Sequence, residues 1–446
     1  MTNRANKENH QKPPAVQAAT EIFDDLHGPL NDLAALKAAD HCLYCYDAPC
    51  IQACPTAIDI PAFIRQIGTG NVTGAAHTIL SENIMGGTCA RACPTEVLCE
   101  QACVLNSDSH NPVEIGLLQR YATDHLMAQN GPHPFRRAAN SGRHIAVVGA
   151  GPAGLSFAHR AAMLGHKISL YEAREKAGGL NEYGLAAYKM VDNFAAREVD
   201  FLLGIGGIDI HHGQRLGQEI TLDVLRASHD ALFIGVGLGA TNGLGLDGEN
   251  KAGIIDATDF IETIRQADDP SRLNLGNDII VIGGGNTAVD AAVQAKKLGS
   301  RNVTLAYRRG LDQMGATAFE IDLAQRNGVM LRLWSKPVAL HGKDAITAVT
   351  FENTRLQAGQ LIGTGETYLV DCDGLLKAIG QKLIEPPLKG LTIQGGKIAL
   401  SENYQTSVPG VFAGGDCVTI GEDLTVQAVQ DGKQAAIAAD EWLKTL

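Results

Sequence analysis

The chain has 446 residues, 45% of them hydrophobic, and a formal net charge of −12. That length gives room for about three domains, and the acidic balance excludes nonspecific nucleic-acid binding, which rests on clustered Lys and Arg. No apolar run reaches the roughly 18 residues that a transmembrane helix needs, so no membrane partner is expected.

The N-terminal stretch Met1 to Pro14 is rich in Asn, Lys and Gln and lacks the apolar centre of a signal peptide. Residues 1–19 read as a flexible tail. Residues 20–138 read as a helical domain, with amphipathic patterns over Ile60 to Ile67 and Glu114 to Leu126. This stretch holds eight of the ten cysteines, in two runs of four. The first is Cys42-x2-Cys45-x4-Cys50-x3-Cys54, followed at once by Pro55. The second is Cys89-x3-Cys93-x5-Cys99-x3-Cys103, with Pro94 after Cys93.

Soft thiolates at such spacing point to two iron–sulfur clusters. A disulfide framework belongs to short secreted domains, and a zinc site shares the Cys-x2-Cys half. The run ending in Cys-Pro is closer to bacterial ferredoxin runs than to zinc ribbons. Clustered thiols without an export signal point to the reducing cytoplasm.

A polar linker over 132–142 leads into an α/β pattern that starts at His144. The strand Ile145 to Val148 runs into Gly149-x-Gly151-x-x-Gly154, and a helix over Leu155 to Leu164 follows. These glycines let the backbone approach a pyrophosphate held at a helix N-terminus. The next strand, Lys167 to Tyr171, ends in Glu172, whose carboxylate suits a ribose. Near the C-terminus, Gly414-Gly415-Asp416 resembles the second flavin motif of two-dinucleotide flavoproteins. The helix opening at Thr425-Val426-Gln427 would aim its positive end at the flavin ring. FAD is therefore the expected first cofactor.

A second fingerprint, Gly283-x-Gly285-Asn286-Thr287-Ala288, follows the apolar run Ile279 to Ile282. Its second strand, Val303 to Tyr307, ends in Arg308 and Arg309 in place of an acid. Two guanidiniums suit a 2′-phosphate, which favours NADPH over NADH. An internal echo, Asp230-x-Leu232-x4-Gly237 and Asp373-x-Leu375-x4-Gly380, reads as two buried strands ending in glycine turns. Its placement suggests one domain inserted in another. The outer FAD-binding domain would span 139–244 plus 372–446, and the inner NAD(P)H-binding domain 245–371. No nucleophile–base pair stands out, so no catalytic side chain is expected; hydride transfer needs only aligned cofactors. Cys372 and Cys417 lack a CxxC partner and read as packing cysteines.

In the order C-x2-C-x4-C-x3-C-P, C-P-x4-C-x3-C, GAGPAG, GGGNTA and GGD, these motifs resemble the iron–sulfur flavoprotein module shared by dihydropyrimidine dehydrogenase and the small subunit of glutamate synthase. The resemblance covers the chain from about residue 20 onward. It implies an α/β chain: an N-terminal helical domain with two [4Fe–4S] clusters, then two Rossmann-like nucleotide-binding domains, one inserted in the other.

The resemblance also implies that the cysteine runs cross. Cys42, Cys45, Cys50 and Cys103 would hold one cluster; Cys54, Cys93 and Cys99 would hold three corners of the other. In dihydropyrimidine dehydrogenase the fourth ligand there is a glutamine in an I-G-x-L-Q segment, matched by Ile115-Gly116-Leu117-Leu118-Gln119, whereas the glutamate-synthase relatives tend to carry Glu at that place. Gln119 shares a helical face with Ile115, Leu118 and Ala122, and a polar amide there needs a buried partner. Cys89 remains an alternative to Gln119. Gly179 and Leu180 join the flavin candidates. Gln427 replaces the Glu of many relatives, and Gly184 to Met190 follows only loosely the family's Gly-Ile-Pro-x-Phe-Arg/Lys-Leu pattern. Dihydropyrimidine dehydrogenases reduce pyrimidines at a separate FMN barrel, for which this sequence has no counterpart. The resemblance thus implies an electron-input subunit in a hetero-oligomer with an FMN- and iron–sulfur-containing large subunit. A glutamate synthase small subunit, or a related ferredoxin:NADP oxidoreductase, is the alternative.

Overall fold

A computed structural model of the protein describes residues 22–129 and 131–446, so the expected tail over 1–19 lies outside them. The first part is helical: α1 (Asp32–Asp40), α2 (Pro49–Gln52), α3 (Ile60–Gly68), α4 (Val72–Glu82), α5 (Gly86–Ala92), α6 (Val104–Ser109) and α7 (Ile115–Ala128). Three of these start where a short polar side chain takes up a free N–H: Asn31, Asp59 and Asn71 accept from Ala34, Ala62 and Gly74. In α3, Ile60, Phe63, Ile64 and Ile67 fall on one face and are buried. They pack with Ile115, Leu118 and Ala122 of α7, and this same core contains Cys99 and Cys103.

The α/β part continues with β1 (His144–Val148), α8 (Pro152–Met163), β2 (Lys167–Tyr171), α9 (Leu180–Tyr183), α10 (Phe194–Leu203), β3 (Ile208–His211), α11 (Leu222–Ser228), β4 (Ala231–Ile234) and β5 (Ala240–Thr241). Next come β6 (Ile254–Asp256), α12 (Ala257–Gln266), β7 (Asp278–Gly283), α13 (Asn286–Lys297), β8 (Asn302–Ala306), α14 (Ala318–Arg326) and β9 (Met330–Arg332). Then follow β10 (Ser335–His341), β11 (Ala348–Gln357), β12 (Gln360–Asp371), β13 (Gly374–Ala378) and β14 (Gln381–Lys382). The last elements are β15 (Ile393–Gln394), β16 (Lys397–Ile398), β17 (Val411–Ala413) and α15 (Thr425–Leu443).

Two five-stranded parallel sheets organise this part, in the orders β17-β4-β1-β2-β3 and β6-β13-β7-β8-β9. The two orders match position for position. The D-x-L-x4-G echo marks β4 and β13, which each flank the strand leading into a glycine fingerprint. Both sheets are covered on two faces, so their strands are continuously apolar rather than alternating. The second sheet carries α12–α14 on one side. On the other lies the antiparallel β10–β12 sheet, with Phe351, Val349 and Ile346 against Ile280, Ile282 and Ala306.

Strand β13 corrects the expectation that residues from 372 onward belong to the outer unit. Residues 374–378 hydrogen-bond between β6 and β7 of the second sheet. The chain passes between the sheets at the short antiparallel pair β5–β14, and Leu383 and Leu388 then pack into the core of the first sheet. The first fingerprint helix begins at Pro152, earlier than Leu155, because Pro152 fits the first helical position without needing an N–H partner.

Candidate cofactor sites

The first cysteine group is assembled by three separate segments. Cys42 follows α1, Cys45 and Cys50 flank the entry to α2, and Cys103 precedes α6. All four line one apolar cavity beneath Ile60, Ile64 and Ile115. Burial pushes the Cys50 thiol up to about 11, with the neighbouring Cys42 and Cys103 thiols adding to the rise. The last cysteine of the second run thus lies with three of the first.

The second group gathers around the end of α5. The Cys93 thiol is raised first by its hydrogen bond with Cys89, then by burial and by the charges of Cys89, Cys99 and Cys54. Burial raises Cys99 as well, with Glu100, Cys54 and Cys50 contributing. Cys89 stands one helical turn before Cys93 and is 2% exposed. Gln119 is buried on α7, and its Nε2 donates to the Gly86 carbonyl at 2.7 Å. A carbonyl only accepts, so the amide orientation is fixed and Oε1 is the end left free. Gly86 opens the helix that carries Cys89 and ends at Cys93. Cys89 thus meets this group from α5, and Gln119 on α7 is tied to the residue that opens the same helix. All ten cysteines are free thiols. Among the described residues, no three His, Cys, Asp or Glu side chains converge on a single-ion position. Four sulfurs ringing a cavity form a donor set that fits a polynuclear iron–sulfur core.

The first glycine fingerprint is shaped by close approaches. Gly149 has φ +96°, and a Cβ there would lie 2.4 Å from the Gly235 carbonyl oxygen. A Cβ at Gly154 would lie 1.9 Å from the Gly149 oxygen, so no side chain fits where α8 starts. Gly151 is the N-cap of α8, and no side chain caps that helix. Its free N–H groups are those a pyrophosphate would take. Glu172 is buried, and its carboxylate accepts the N–H of Ala150 at 2.8 Å and of Arg174 at 2.9 Å. The acid is thereby tied to the glycine loop. Gly179 (φ +55°) sits beside Gly151, and the N–H of Gly178 bonds the Ala150 carbonyl. Leu180 begins α9 and is 41% exposed.

The C-terminal motif closes on the same loop. A Cβ on Gly415 would stand 3.0 Å from the Ala153 Cβ. Burial, with Asp423 nearby, pushes Asp416 up to about 6. No side chain caps α15, whose first turn carries Thr425 and Gln427. Thr425 donates to Asn181, and Gln427 donates to Asp431 at 2.8 Å. Asp431 also accepts the Gly415 N–H at 2.9 Å and is fully buried. Sequence reasoning missed Asp431, although its position four residues after Gln427 was a readable helical pairing.

The second fingerprint repeats the arrangement. Gly285 caps α13 without a side chain, and open space lies where its Cβ would be. Asn286 accepts the Thr317 N–H at 3.2 Å, and Thr287 is exposed. Strand β8 ends at Ala306, so Tyr307, Arg308 and Arg309 form the following turn. Arg308 is exposed and Arg309 half-buried. Their carbonyls accept from the Thr354 hydroxyl and the Trp334 N–H, which fixes the turn. Neither guanidinium pairs with a carboxylate among the described residues. Cys372 and Cys417 are buried, as expected of packing residues.

A second feature that sequence reasoning missed joins the two sheets. Lys189 lies 2.8 Å from Asp290 and 2.5 Å from Glu320, and Tyr188 donates to Asp290 at 2.6 Å. All four are buried. The loosely matching segment Gly184 to Met190 thus docks on the middle of α13, through Asp290 and Gln294, and on the first turn of α14, through Glu320.

Comparison with known proteins gives two family matches. Residues 19–131 match the model described as dihydropyrimidine dehydrogenase domain II, 4Fe-4S cluster, and residues 143–432 match pyridine nucleotide-disulphide oxidoreductase. The chain is 34% identical to the NAD-dependent dihydropyrimidine dehydrogenase subunit PreT of Escherichia coli K12, over 95% of this chain and 97% of that one. It is 30% identical to the glutamate synthase [NADPH] small chain of the same organism, over 95% and 94%. The structure of Mycobacterium tuberculosis FprA in complex with NADPH aligns at TM-score 0.58 with 17% identity, covering 68% of this chain and 85% of that one. That last likeness is one of fold.

Proposed function

The chain belongs to the pyridine nucleotide-disulphide oxidoreductases that carry an N-terminal 4Fe–4S domain of the dihydropyrimidine dehydrogenase type, and from that membership we propose that it is the electron-input subunit of a dihydropyrimidine dehydrogenase. When bound, FAD, the nicotinamide nucleotide and two [4Fe–4S] clusters supply the hydride acceptor, the hydride donor and the one-electron carriers. The protein's own residues bind and orient these groups and keep water away.

Gly149, Gly151, Gly154 and Gly179 would cradle the FAD pyrophosphate, with Glu172 on the adenosine ribose. Gly415, Asp416 and the open first turn of α15 would hold the rest, with Leu180, Thr425 and Gln427 near the ring. Gly283, Gly285, Asn286 and Thr287 would hold the nicotinamide nucleotide. The unpaired Arg308 and Arg309 support a preference for NADPH. We assign Cys42, Cys45, Cys50 and Cys103 to one cluster, and Cys54, Cys93, Cys99 and Gln119 to the other. The flavin unit would run over 139–244 and resume after β14, with the nicotinamide unit between.

An exit surface is also supported. Leu43 and Tyr46 flank the ligands Cys42 and Cys45 and are 61% and 105% exposed. Asp40 and Asp47, both exposed, stand at the two ends of this stretch of chain. An apolar centre with flanking acids suits a partner whose own rim is basic. Here the larger FMN- and iron–sulfur-bearing subunit would dock and reduce uracil or thymine. No helix among the described residues is long and apolar enough to cross a membrane.

The observation that carries the pyrimidine reading is Gln119, a buried amide on an apolar helix face with its nitrogen tied to Gly86. The test is NAD(P)H oxidation by the chain purified with its partner, driven by uracil or by 2-oxoglutarate plus glutamine. Uracil-driven turnover is expected; turnover with 2-oxoglutarate and glutamine alone would replace this reading with that of a glutamate synthase small subunit.

A further inference from the structure

Helix α15 reaches from the flavin motif to the iron–sulfur domain. Its first turn holds Thr425 and Gln427. Two turns on, Gly432 meets α8 so closely that a Cβ would lie 2.1 Å from the Ala153 oxygen. The helix is therefore locked on the element that starts at the first glycine fingerprint. The next residue, Lys433, is 5% exposed and points into the iron–sulfur domain. Its ammonium donates to the Thr56 carbonyl at 3.2 Å, the Glu82 carbonyl at 2.9 Å and the Glu82 carboxylate at 2.8 Å. Thr56 in turn has its hydroxyl 3.3 Å from the Cys54 sulfur. One buried cation thus links the flavin-side helix to the loop of a cluster cysteine.

The charges here do not cancel. The Lys433 side chain is 7% exposed and that of Glu82 is 44% exposed, so water screens the carboxylate far more than the ammonium. Burial lowers the ammonium's pKa, while Glu82 and the Cys54 sulfur hold it up. Arg160 adds a further positive charge near Glu82. The least screened charge beside the Cys54 loop is therefore the Lys433 ammonium.

We propose that Lys433 is a positioning residue for electron entry, whose fixed charge raises the reduction potential of the cluster held by Cys54, Cys93 and Cys99. The proposal rests on the reading of Cys54 as a cluster ligand. Each electron that reaches a cluster adds one negative charge, and a fixed cation in a low-dielectric setting stabilises that charge. Electron flow from the flavin side is thereby favoured toward this cluster.

Redox titrations of the full chain, loaded with flavin, iron and sulfide and followed by electron paramagnetic resonance, test this with three variants. K433M should lower the potential of one cluster and leave the other in place. K433R should stay near wild type. E82Q, which removes the counter-anion, should shift the same cluster upward. Opposite shifts from the two partners are not what a loosened structure gives. Unchanged potentials in K433M and E82Q, or shifts of one sign in both, would overturn the proposal. The ligand reading fails separately, if C54S keeps the iron and the spectra of both clusters.

Discussion

The carboxylate of Glu198, on helix α10, accepts the backbone N–H of Thr88 at 2.9 Å, one residue before Cys89. The Thr88 hydroxyl bonds the same carboxylate. Glu198 is 1% exposed, so the nucleotide-binding part of the chain reaches into the iron–sulfur domain with a buried acid. Burial pushes that carboxyl up to about 7 from its ordinary 4.5, against the pull of the Thr88 donors and Arg91.

That shift sets a pH dependence. Between the unfolded and folded pKa values the native state binds the extra proton, so stability is full below about 4.5 and falls as pH rises through about 7. The difference is on the order of 3 kcal/mol. Melting temperatures at a fixed scan rate should therefore fall from pH 5 to pH 8 in wild type. In E198Q, which cannot ionise, the profile should be flatter; parallel profiles would refute the assignment.

Lys189 pairs with two buried acids at once. K189M leaves Asp290 and Glu320 facing each other without a cation, which should cost about 3–5 kcal/mol. Glu320 already sits at about 7 through burial and Asp290, despite Lys189. Thermal unfolding of K189M against K189R should show a large loss in the first and a small one in the second.

Iron analysis separates the cysteines. C103S and C54S should each lose about half the iron, from different clusters by their spectra. Because Cys103 and Cys54 belong in sequence to the opposite runs, this outcome reports the crossing itself. C89S should keep its iron, whereas Q119A should alter only the spectrum of the Cys54 cluster. Iron loss in C89S with an unaltered Q119A would make Cys89 the ligand.

Arg308 and Arg309 should select the nucleotide. A charge-assisted pair with phosphate is worth about 1.5–3 kcal/mol. The double alanine variant should raise KM for NADPH by about 10–100-fold and leave that for NADH within a few-fold. Equal effects on both would make the arginines part of general binding.

The exposed pair beside the first cluster should govern the partner alone. L43E with Y46E should keep NAD(P)H-driven reduction of a small dye and lower uracil-driven turnover of the complex by about tenfold or more. Loss of dye reduction would place these residues in the chain's own electron path instead.

Much of the site lies in short motifs, and those were legible. Gly149 to Gly154, Gly283 to Ala288 and the strand ending at Glu172 are local signals, because a tight turn, a helix start and the strand feeding it occupy one stretch of chain. The D-x-L-x4-G echo was legible for the same reason, and the matching strand orders give it its meaning. The membership of β13 was not legible: a buried apolar strand reads alike in either sheet, and only its hydrogen bonds to β6 and β7 decide. Nor were the roles of Lys189, Glu198 and Lys433 legible: Glu198 shares a helix face with Phe194 and Leu202, and Lys433 one with Val429 and Ala436, but no local pattern names the remote groups that meet these charges. Tertiary structure decides this, by bringing polar groups from remote segments to meet them where a bare charge would be costly. The sequence by itself determined which cofactors the chain is built for; the packing of three units decided which buried charges join them.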